Sequence, residues 1–115
     1  MKDSVAKEIE RLEAEYRHYS RCVGMLVGLD GIVSHAANRY QVAKESVYGT
    51  RGNMRSVYAR RLVWSILSRE GLTNRSVARA WGTPVSTVDN GIRAAKRTQS
   101  KAIREYFDLH VGNAA

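Results

Sequence analysis

Polar and basic side chains follow one another at helical spacing just after Pro84, the only proline of the chain. Short hydroxyl and amide side chains come first and cations come later, in the order Ser86, Thr87, Asn90, Arg93, Lys96 and Arg97. Hydroxyls and amides exchange hydrogen bonds with base edges, and cations bind phosphates. A helix with this order can place its N-terminal end in a major groove about 12 Å wide. The pattern predicts a surface that contacts double-stranded DNA.

The helix that must position these side chains is predicted over residues 84–97. Its apolar positions lie on one face and predict the side that packs on the core, formed by Val85, Val88, Ile92 and Ala95. A second interpretation of Val85, contact with a thymine methyl group, stays open at this stage. Thr83 is placed to cap the helix, because its hydroxyl can accept a free backbone amide and proline is tolerated in the first turn. Thr83 and Val85 are both included among the predicted DNA contacts.

Another predicted helix ends immediately before this one. Thr73 or Asn74 can cap its start, and Gly82 can close it, because a helix end commonly needs a residue that tolerates positive φ. Its inward-facing residues are predicted to be Val77, Ala78 and Trp81. Two helices joined by so short a turn, with small, glycine and aliphatic residues at Ala78, Gly82 and Val88, predict a helix-turn-helix. A plain helical hairpin with a basic exterior is the alternative.

Basic residues are concentrated around this corner. The chain has 19 Lys and Arg against 11 Asp and Glu, a formal net charge of +8. Nearly all of the excess lies between residues 51 and 97, where Glu70 and Asp89 are the only acidic residues. Such a distribution favours a polyanionic partner, with a solvated basic face as the alternative.

A basic loop, residues 51–55, completes the predicted binding surface. Gly49, Gly52 and Asn53 predict the loop, and a helix from about residue 56 to residue 69 follows it. The basic residues assigned to the surface in this region are Arg51, Arg55, Arg60 and Arg61. Residues 32–42 predict an earlier helix, followed by a short helical turn over residues 44–48. The chain is therefore predicted to be all-α.

Three segments are predicted: an N-terminal amphipathic helix over residues 1–29, a DNA-binding domain over residues 30–110 and a tail over residues 111–115. The N-terminal helix carries an apolar stripe made of Val5, Ile9, Leu12, Tyr16, Tyr19, Val23 and Leu26. The stripe covers about three heptads and could pair with a second copy of the chain. Packing on its own domain is an equally open interpretation.

Two stretches carry a family resemblance, AANRYQVAKESVYGTRGNMRSVYARR and LTNRSVARAWGTPVSTVDNGIRAAK. Over about residues 32–98 the chain resembles the C-terminal DNA-binding domain of the bacterial replication initiator DnaA. The resemblance implies a helix-turn-helix bundle, similar also to the Trp repressor, with a loop arginine in the minor groove and a recognition helix in the major groove. Arg51 and Arg55 would inherit the loop role.

The recognition helix matches the family only in part. Ser86 and Thr87 match its pair of hydroxyl residues, whereas Pro84 and Val85 stand where the family has aspartate and histidine. The resemblance therefore implies a DNA target other than the family's usual one. The initiator's phosphate-binding loop does not occur in the sequence, which implies a free-standing module of the kind that a phage or mobile element would carry.

Catalysis finds little support in the sequence. His18, His35 and His110 are far apart, and no nucleophile motif or metal-ligand spacing occurs, so we expect no enzyme activity, metal, cofactor or small-molecule substrate. The lone Cys22 and the absence of a leader or a long apolar run predict a cytoplasmic, nucleoid-associated protein that does not bind membranes.

The predicted function is sequence-specific binding of double-stranded DNA in transcription regulation or control of replication initiation. An alternative is an adaptor module whose basic domain docks on an acidic protein and whose N-terminal helix oligomerises. RNA binding is a weaker third possibility, because the basic helices lack an exposed aromatic platform for stacking bases.

Overall fold

The computed structural model describes residues 6–14 and 28–110, and within these ranges the chain forms helices and no strand. The helices are α1 (residues 6–14), α2 (Leu29–Tyr40), α3 (Lys44–Tyr48), α4 (Met54–Arg69), α5 (Asn74–Trp81), α6 (Val85–Thr98) and α7 (Ser100–His110). The predicted all-α fold class is confirmed. None of these helices is both long enough and apolar enough to cross a membrane.

Helix α4 is the centre of the bundle, in contact with α2, α3, α5, α6 and α7. Its second half is apolar on nearly every side, and the residues buried there include Leu62, Val63, Trp64, Ile66 and Leu67. A helix that is apolar all round must be covered all round, which explains why the other helices pack about this one.

Helices α2 and α4 begin earlier than the sequence predicts. Leu29 is fully buried and starts α2, so residues 29–31 open a helix, and the predicted boundary after residue 29 falls inside it. Asn53 caps α4, where its side-chain oxygen accepts a hydrogen bond from the backbone N–H of Ser56 at 3.1 Å. Arg55 therefore lies in the first turn of α4 and not in the loop.

A tight corner joins α5 to α6. Thr73 caps α5 by accepting a hydrogen bond from the N–H of Ser76 at 3.1 Å, and Gly82 closes the helix with a φ of +66°, as predicted. The prediction that Thr83 caps α6 is wrong. Pro84 occupies the cap position without a side-chain cap bond, while the N–H of Thr83 donates to the carbonyl of Ala78 at 3.1 Å and helps to close α5.

Helix α1 packs on its own domain. Ile9 and Leu12 belong to the central apolar cluster, with Leu12 fully buried. Arg11 donates to the side-chain and backbone oxygens of Ser76 on α5, each at 3.1 Å. These two members of the predicted dimerisation stripe are therefore core residues. The other members, Val5, Tyr16, Tyr19, Val23 and Leu26, lie outside the described residues, as does the predicted tail.

Helix α7 has no counterpart in the sequence prediction. Ala102, Ile103 and Tyr106 are buried, and the helix packs against α4 and α6. The buried Gln99 stands between α6 and α7, and its amide group donates to the hydroxyl of Tyr40 at 2.9 Å and to the carbonyl of Tyr58 at 2.8 Å. The chain thus turns at Gln99, and α7 covers a further side of the core.

Candidate nucleic-acid interface

The solvent side of α6 carries the polar and basic side chains that the sequence singles out. Exposed on this helix are Ser86, Thr87, Asn90, Arg93, Lys96 and Arg97, whereas Val88, Ile92 and Ala95 are buried. No described part of α1 covers this face, because the contacts of α1 with the corner are made to Ser76 and Arg79 on α5. The hydroxyl, amide and guanidinium groups therefore share one open surface.

Val85 departs from its favoured prediction as a core residue, since its side chain is 43% exposed. It opens the first turn of α6, which extends past the edge of the core. The core interpretation is therefore wrong, and contact with a thymine methyl stays a prediction. Thr83, at the corner itself, is half-buried.

Asp89 is the one acidic residue on α6, and two neighbours satisfy it. The Nη2 atom of Arg93 lies 2.8 Å from the carboxylate, and the side-chain amide of Asn74 donates to it at 3.3 Å. The pairing of Arg93 with Asp89 offsets the negative charge within the surface. As a result, the positive charge of this face is carried mainly by Lys96 and Arg97.

Arg60 does not belong to the exposed surface, which corrects its predicted role as a DNA contact. Its side chain is 4% exposed. The Nη2 atom donates to the carbonyls of Ser46 at 2.7 Å and Arg51 at 2.9 Å, and the Nε atom donates to the carbonyl of Val47 at 3.3 Å. Burial lowers the pKa of Arg60 from its ordinary value. Arg60 is thus a buried anchor for the chain between α3 and α4.

Trp81 holds the same segment from the side of α5. Its indole N–H donates to the carbonyl of Val47 at 2.9 Å, so Val47 accepts from both Trp81 and Arg60. Two buried donors therefore fix the start of the loop over residues 49–53. Arg51, within that loop, and Arg55, just after it, are exposed.

A groove of about 330 Å³ joins the loop to α6. We call it the interface groove; its walls include Thr50 from the loop, Arg61 from α4, and Thr87 and Asn90 from α6. The structure thus brings together two regions that the sequence assigned to one surface. Among the described residues, Arg51, Arg55 and Arg61 form no ion pair with an acidic side chain, so their charge remains available to a partner.

Gly91 explains how α6 comes so close to α4, and the sequence analysis did not identify it. A Cβ atom at Gly91 would lie 2.9 Å from Cζ3 of Trp64, closer than real Cβ contacts allow, and 3.0 Å from Cε3, tighter than most real contacts. The glycine is buried within α6, with Asn90 as its neighbour on the exposed side. A glycine inside an amphipathic helix is the sequence signal for such close approach.

Comparison of the chain with protein-family models, with curated proteins and with solved structures found no match. In the part of the chain that the structure describes, no three His, Cys, Asp or Glu side chains lie close enough together to hold a metal ion. The candidate site therefore rests on its own geometry and charge.

Proposed function

We propose that the chain is a sequence-specific double-stranded DNA-binding module that regulates transcription or replication initiation. In this proposal α5, the corner at residues 82–84 and α6 form a helix-turn-helix, and α6 is the recognition helix. The observation that carries the proposal is the open face of α6, where exposed hydroxyl and amide groups come first and exposed cations come later.

The dimensions of α6 suit this role. Its 14 residues give a length of about 21 Å at the usual rise per residue. In the proposed complex Ser86, Thr87 and Asn90 meet base edges in the major groove, and Val85 meets a thymine methyl. Lys96 and Arg97, about three turns beyond Ser86 and Thr87, reach the phosphates on the groove wall.

The loop contributes a second contact. Arg51 and Arg55 are exposed beside the interface groove that the loop shares with α6, and we propose that one of them enters the neighbouring minor groove. The buried Arg60 holds the loop through its hydrogen bond to the carbonyl of Arg51. Narrow minor grooves attract arginine side chains through their enhanced negative potential.

Selection from random-sequence duplexes tests the proposal. We expect a preferred sequence to emerge, and its affinity should exceed that of a scrambled duplex by a factor of about 10³ or more at fixed salt. The affinity should also fall steeply with salt, because neutralised phosphates release counterions. If every duplex binds equally well, α6 does not read bases and the proposal fails.

The salt dependence separates phosphate contacts from other effects. Arg97→Ala should weaken binding to selected and scrambled duplexes alike and reduce the slope of log K against log salt by about 1. Lys101→Ala is the matched control, because Lys101 is an exposed cation on α7 outside the candidate interface. An equal effect of both substitutions would indicate a response to net charge alone.

An adaptor that docks on an acidic protein is the competing outcome. It predicts that no duplex is preferred and that Arg51→Ala and Arg93→Ala leave DNA binding unchanged. Point substitutions are better suited to this comparison than removal of residues 1–28, because Ile9 and Leu12 belong to the core and their removal would disturb folding.

A further inference from the structure

A second concave surface lies on the other flank of α6. The interface groove adjoins the flank with Thr87 and Asn90, whereas a pocket of about 570 Å³ adjoins the flank with Ile92 and Lys96. Its walls come from the C-terminal half of α4, from α6 and from the start of α7. We call it the α7 pocket. Its size falls within the range of small-molecule sites.

Three cations line the α7 pocket. Arg69, Lys96 and Arg104 come from three different helices and share this one cavity, and no acidic side chain lines it. Among the described residues none of the three is in an ion pair with a carboxylate. Like charges that line one cavity repel one another, and a bound anion would reduce that repulsion.

One of these cations is held by an aromatic ring. The guanidinium carbon of Arg69 lies 4.4 Å from the centre of the Phe107 ring, within the range of a cation–π contact. Among the described contacts the Arg69 guanidinium donates no hydrogen bond, so its N–H donors can serve a ligand. A planar fork of donors suits a phosphate better than a spherical ion.

Hydroxyl groups and an apolar surface complete the pocket. Ser68 and Ser100 are at least partly exposed, and neither side chain is engaged in a hydrogen bond among the described contacts. Ile92 and Ile103 line the same cavity and are 5% and 8% exposed. The cavity therefore offers donors for an anion and an apolar wall for a carbon skeleton.

We propose that the α7 pocket binds a small phosphorylated molecule, with the phosphate group between Arg69, Lys96 and Arg104 and an apolar portion against Ile92 and Ile103. This site goes beyond the DNA-binding role. An inorganic anion would contact only the cations, whereas a phosphate monoester would contact both the cations and the apolar wall of the pocket. Because α6 lines the pocket, a bound ligand would contact the proposed recognition helix.

Titration calorimetry of the free protein with phenyl phosphate tests this inference without any DNA. We expect phenyl phosphate to bind several-fold more tightly than inorganic phosphate, because the ring adds apolar contact. Binding should tighten between about pH 5 and pH 7.5, as the phosphate loses its second proton near pH 6 while Lys and Arg stay charged. Phenyl sulfonate, a monoanion of similar shape, should bind more weakly at pH 7.5.

Two substitutions locate the ligand. Arg104→Gln should weaken phenyl phosphate binding about tenfold or more, as expected for a lost charge-assisted hydrogen bond. Arg104 is exposed, so the fold is expected to tolerate the change. Lys101→Gln, which removes an exposed cation from the same helix outside the pocket, should leave the affinity within about twofold. Arg69→Gln repeats the test on α4.

The inference is overturned if the wild-type protein does not bind phenyl phosphate. It is also overturned if Arg104→Gln and Lys101→Gln lose affinity for phenyl phosphate to the same extent. If Arg104→Gln weakens only the binding of a DNA duplex, the pocket contacts backbone phosphates, and the small-molecule inference is again wrong. Lys96 belongs to both proposed sites, whereas Arg69 and Arg104, the residues substituted here, do not belong to the proposed DNA contacts. Failure here therefore leaves the proposed DNA-binding function standing, and failure of DNA selection leaves this inference standing.

Discussion

At the scale of single residues, Arg60 shows how a charged side chain can serve the interface from inside the fold. Its guanidinium group satisfies three backbone carbonyls that precede or belong to the loop, at 2.7 to 3.3 Å. Among the described side chains, the carbonyls of Ser46 and Arg51 accept from Arg60 alone, whereas the carbonyl of Val47 also accepts from the indole N–H of Trp81. The position of Arg51 thus depends on a side chain that is only 4% exposed.

Arg60→Met should lower the free energy of unfolding by about 3 kcal/mol, because it leaves the partly buried carbonyls of Ser46 and Arg51 without their side-chain donor. Urea denaturation measures the change. Arg61→Met is the control at the next position, where the side chain is half-exposed, and it should alter stability by less than about 0.5 kcal/mol. Equal stability of the two variants would show that the Arg60 contacts contribute nothing to the fold.

Glu70 provides a test of pH dependence. Burial raises the pKa of this carboxyl, against a smaller opposing effect of Arg69, and the residue sits at the C-terminal cap of α4, where a negative charge meets the negative end of the helix dipole. A raised folded-state pKa means that the contribution of Glu70 to stability is full below its ordinary pKa and is lost as the pH rises through the folded-state pKa.

Glu70→Gln should therefore raise the free energy of unfolding at pH 7 by a few tenths of a kcal/mol, since solvent screens a partly exposed carboxylate. At pH 3 the gain should disappear, because the carboxyl is then protonated in both states. Thermal unfolding at the two pH values measures it. Glu10→Gln on α1, at an exposed site, should show no such difference, and a gain that persists at pH 3 would contradict the account.

At the scale of elements, the closeness of α6 to α4 decides where the candidate interface lies. Gly91 allows the approach, since a Cβ there would come within 2.9 Å of the Trp64 ring. In an exposed helix interior, replacing glycine by alanine stabilises by roughly 0.5–1 kcal/mol. At this position the steric effect opposes that gain, and Trp64 is too deeply buried to move aside freely.

Gly91→Ala should lower the free energy of unfolding by about 1–3 kcal/mol, because overpacking outweighs the gain in helix propensity. Chemical denaturation gives the sign directly. Asn90→Ala, one residue earlier and exposed, gains propensity without a clash and should be neutral or slightly stabilising. A stabilised Gly91→Ala variant would show that α6 is free to move away from α4.

The elements differ in how far the sequence predicts them. The corner between α5 and α6 is predicted well, because Thr73 and Gly82 act locally, through a side-chain cap and a positive φ. Helix α7 was missed although Ala102, Ile103 and Tyr106 recur at helical spacing, since no glycine or proline separates it from α6. Caps and glycines are local signals that mark where a helix starts or ends. The bend at Gln99 depends instead on hydrogen bonds to Tyr40 and Tyr58, which are distant in sequence.

The candidate site also contains features that the sequence predicts and features that it does not. Exposure of Thr87, Asn90 and Arg97 follows from the period of α6 and is predictable. Burial of Arg60 is not, because arginine is rarely buried and only the folded loop brings its carbonyl acceptors together. Exposure of Val85 depends on how far α6 overhangs the core, which the helical period does not specify.

At the scale of the whole molecule, α1 is part of the domain that carries the candidate interface. Leu12 is fully buried in the common core, and Glu8 forms ion pairs with Arg11 and with Arg79 on α5, each at 2.9 Å. The apolar stripe of the N-terminal helix is therefore used within the chain over its described part. Pairing of two copies through the remaining stripe residues stays a prediction.

Leu12→Ala should lower the free energy of unfolding by about 2–5 kcal/mol, as for other buried leucines. The loss should be the same at low and high protein concentration, since the contact lies within one chain. A loss that grows with protein concentration would mean that Leu12 also stabilises an oligomer. Lys7→Ala, at an exposed position on the same helix, should change stability by less than about 0.5 kcal/mol.

The central claim is that the open face of α6 reads bases, and one comparison tests it most directly. The affinities of the wild-type protein, Asn90→Ala and Lys101→Ala are measured for a selected duplex and a scrambled one at the same salt. We predict that Asn90→Ala reduces the ratio of the two affinities by about 10- to 100-fold and leaves the scrambled duplex nearly unaffected, while Lys101→Ala preserves the ratio. An unchanged ratio in Asn90→Ala would contradict the account.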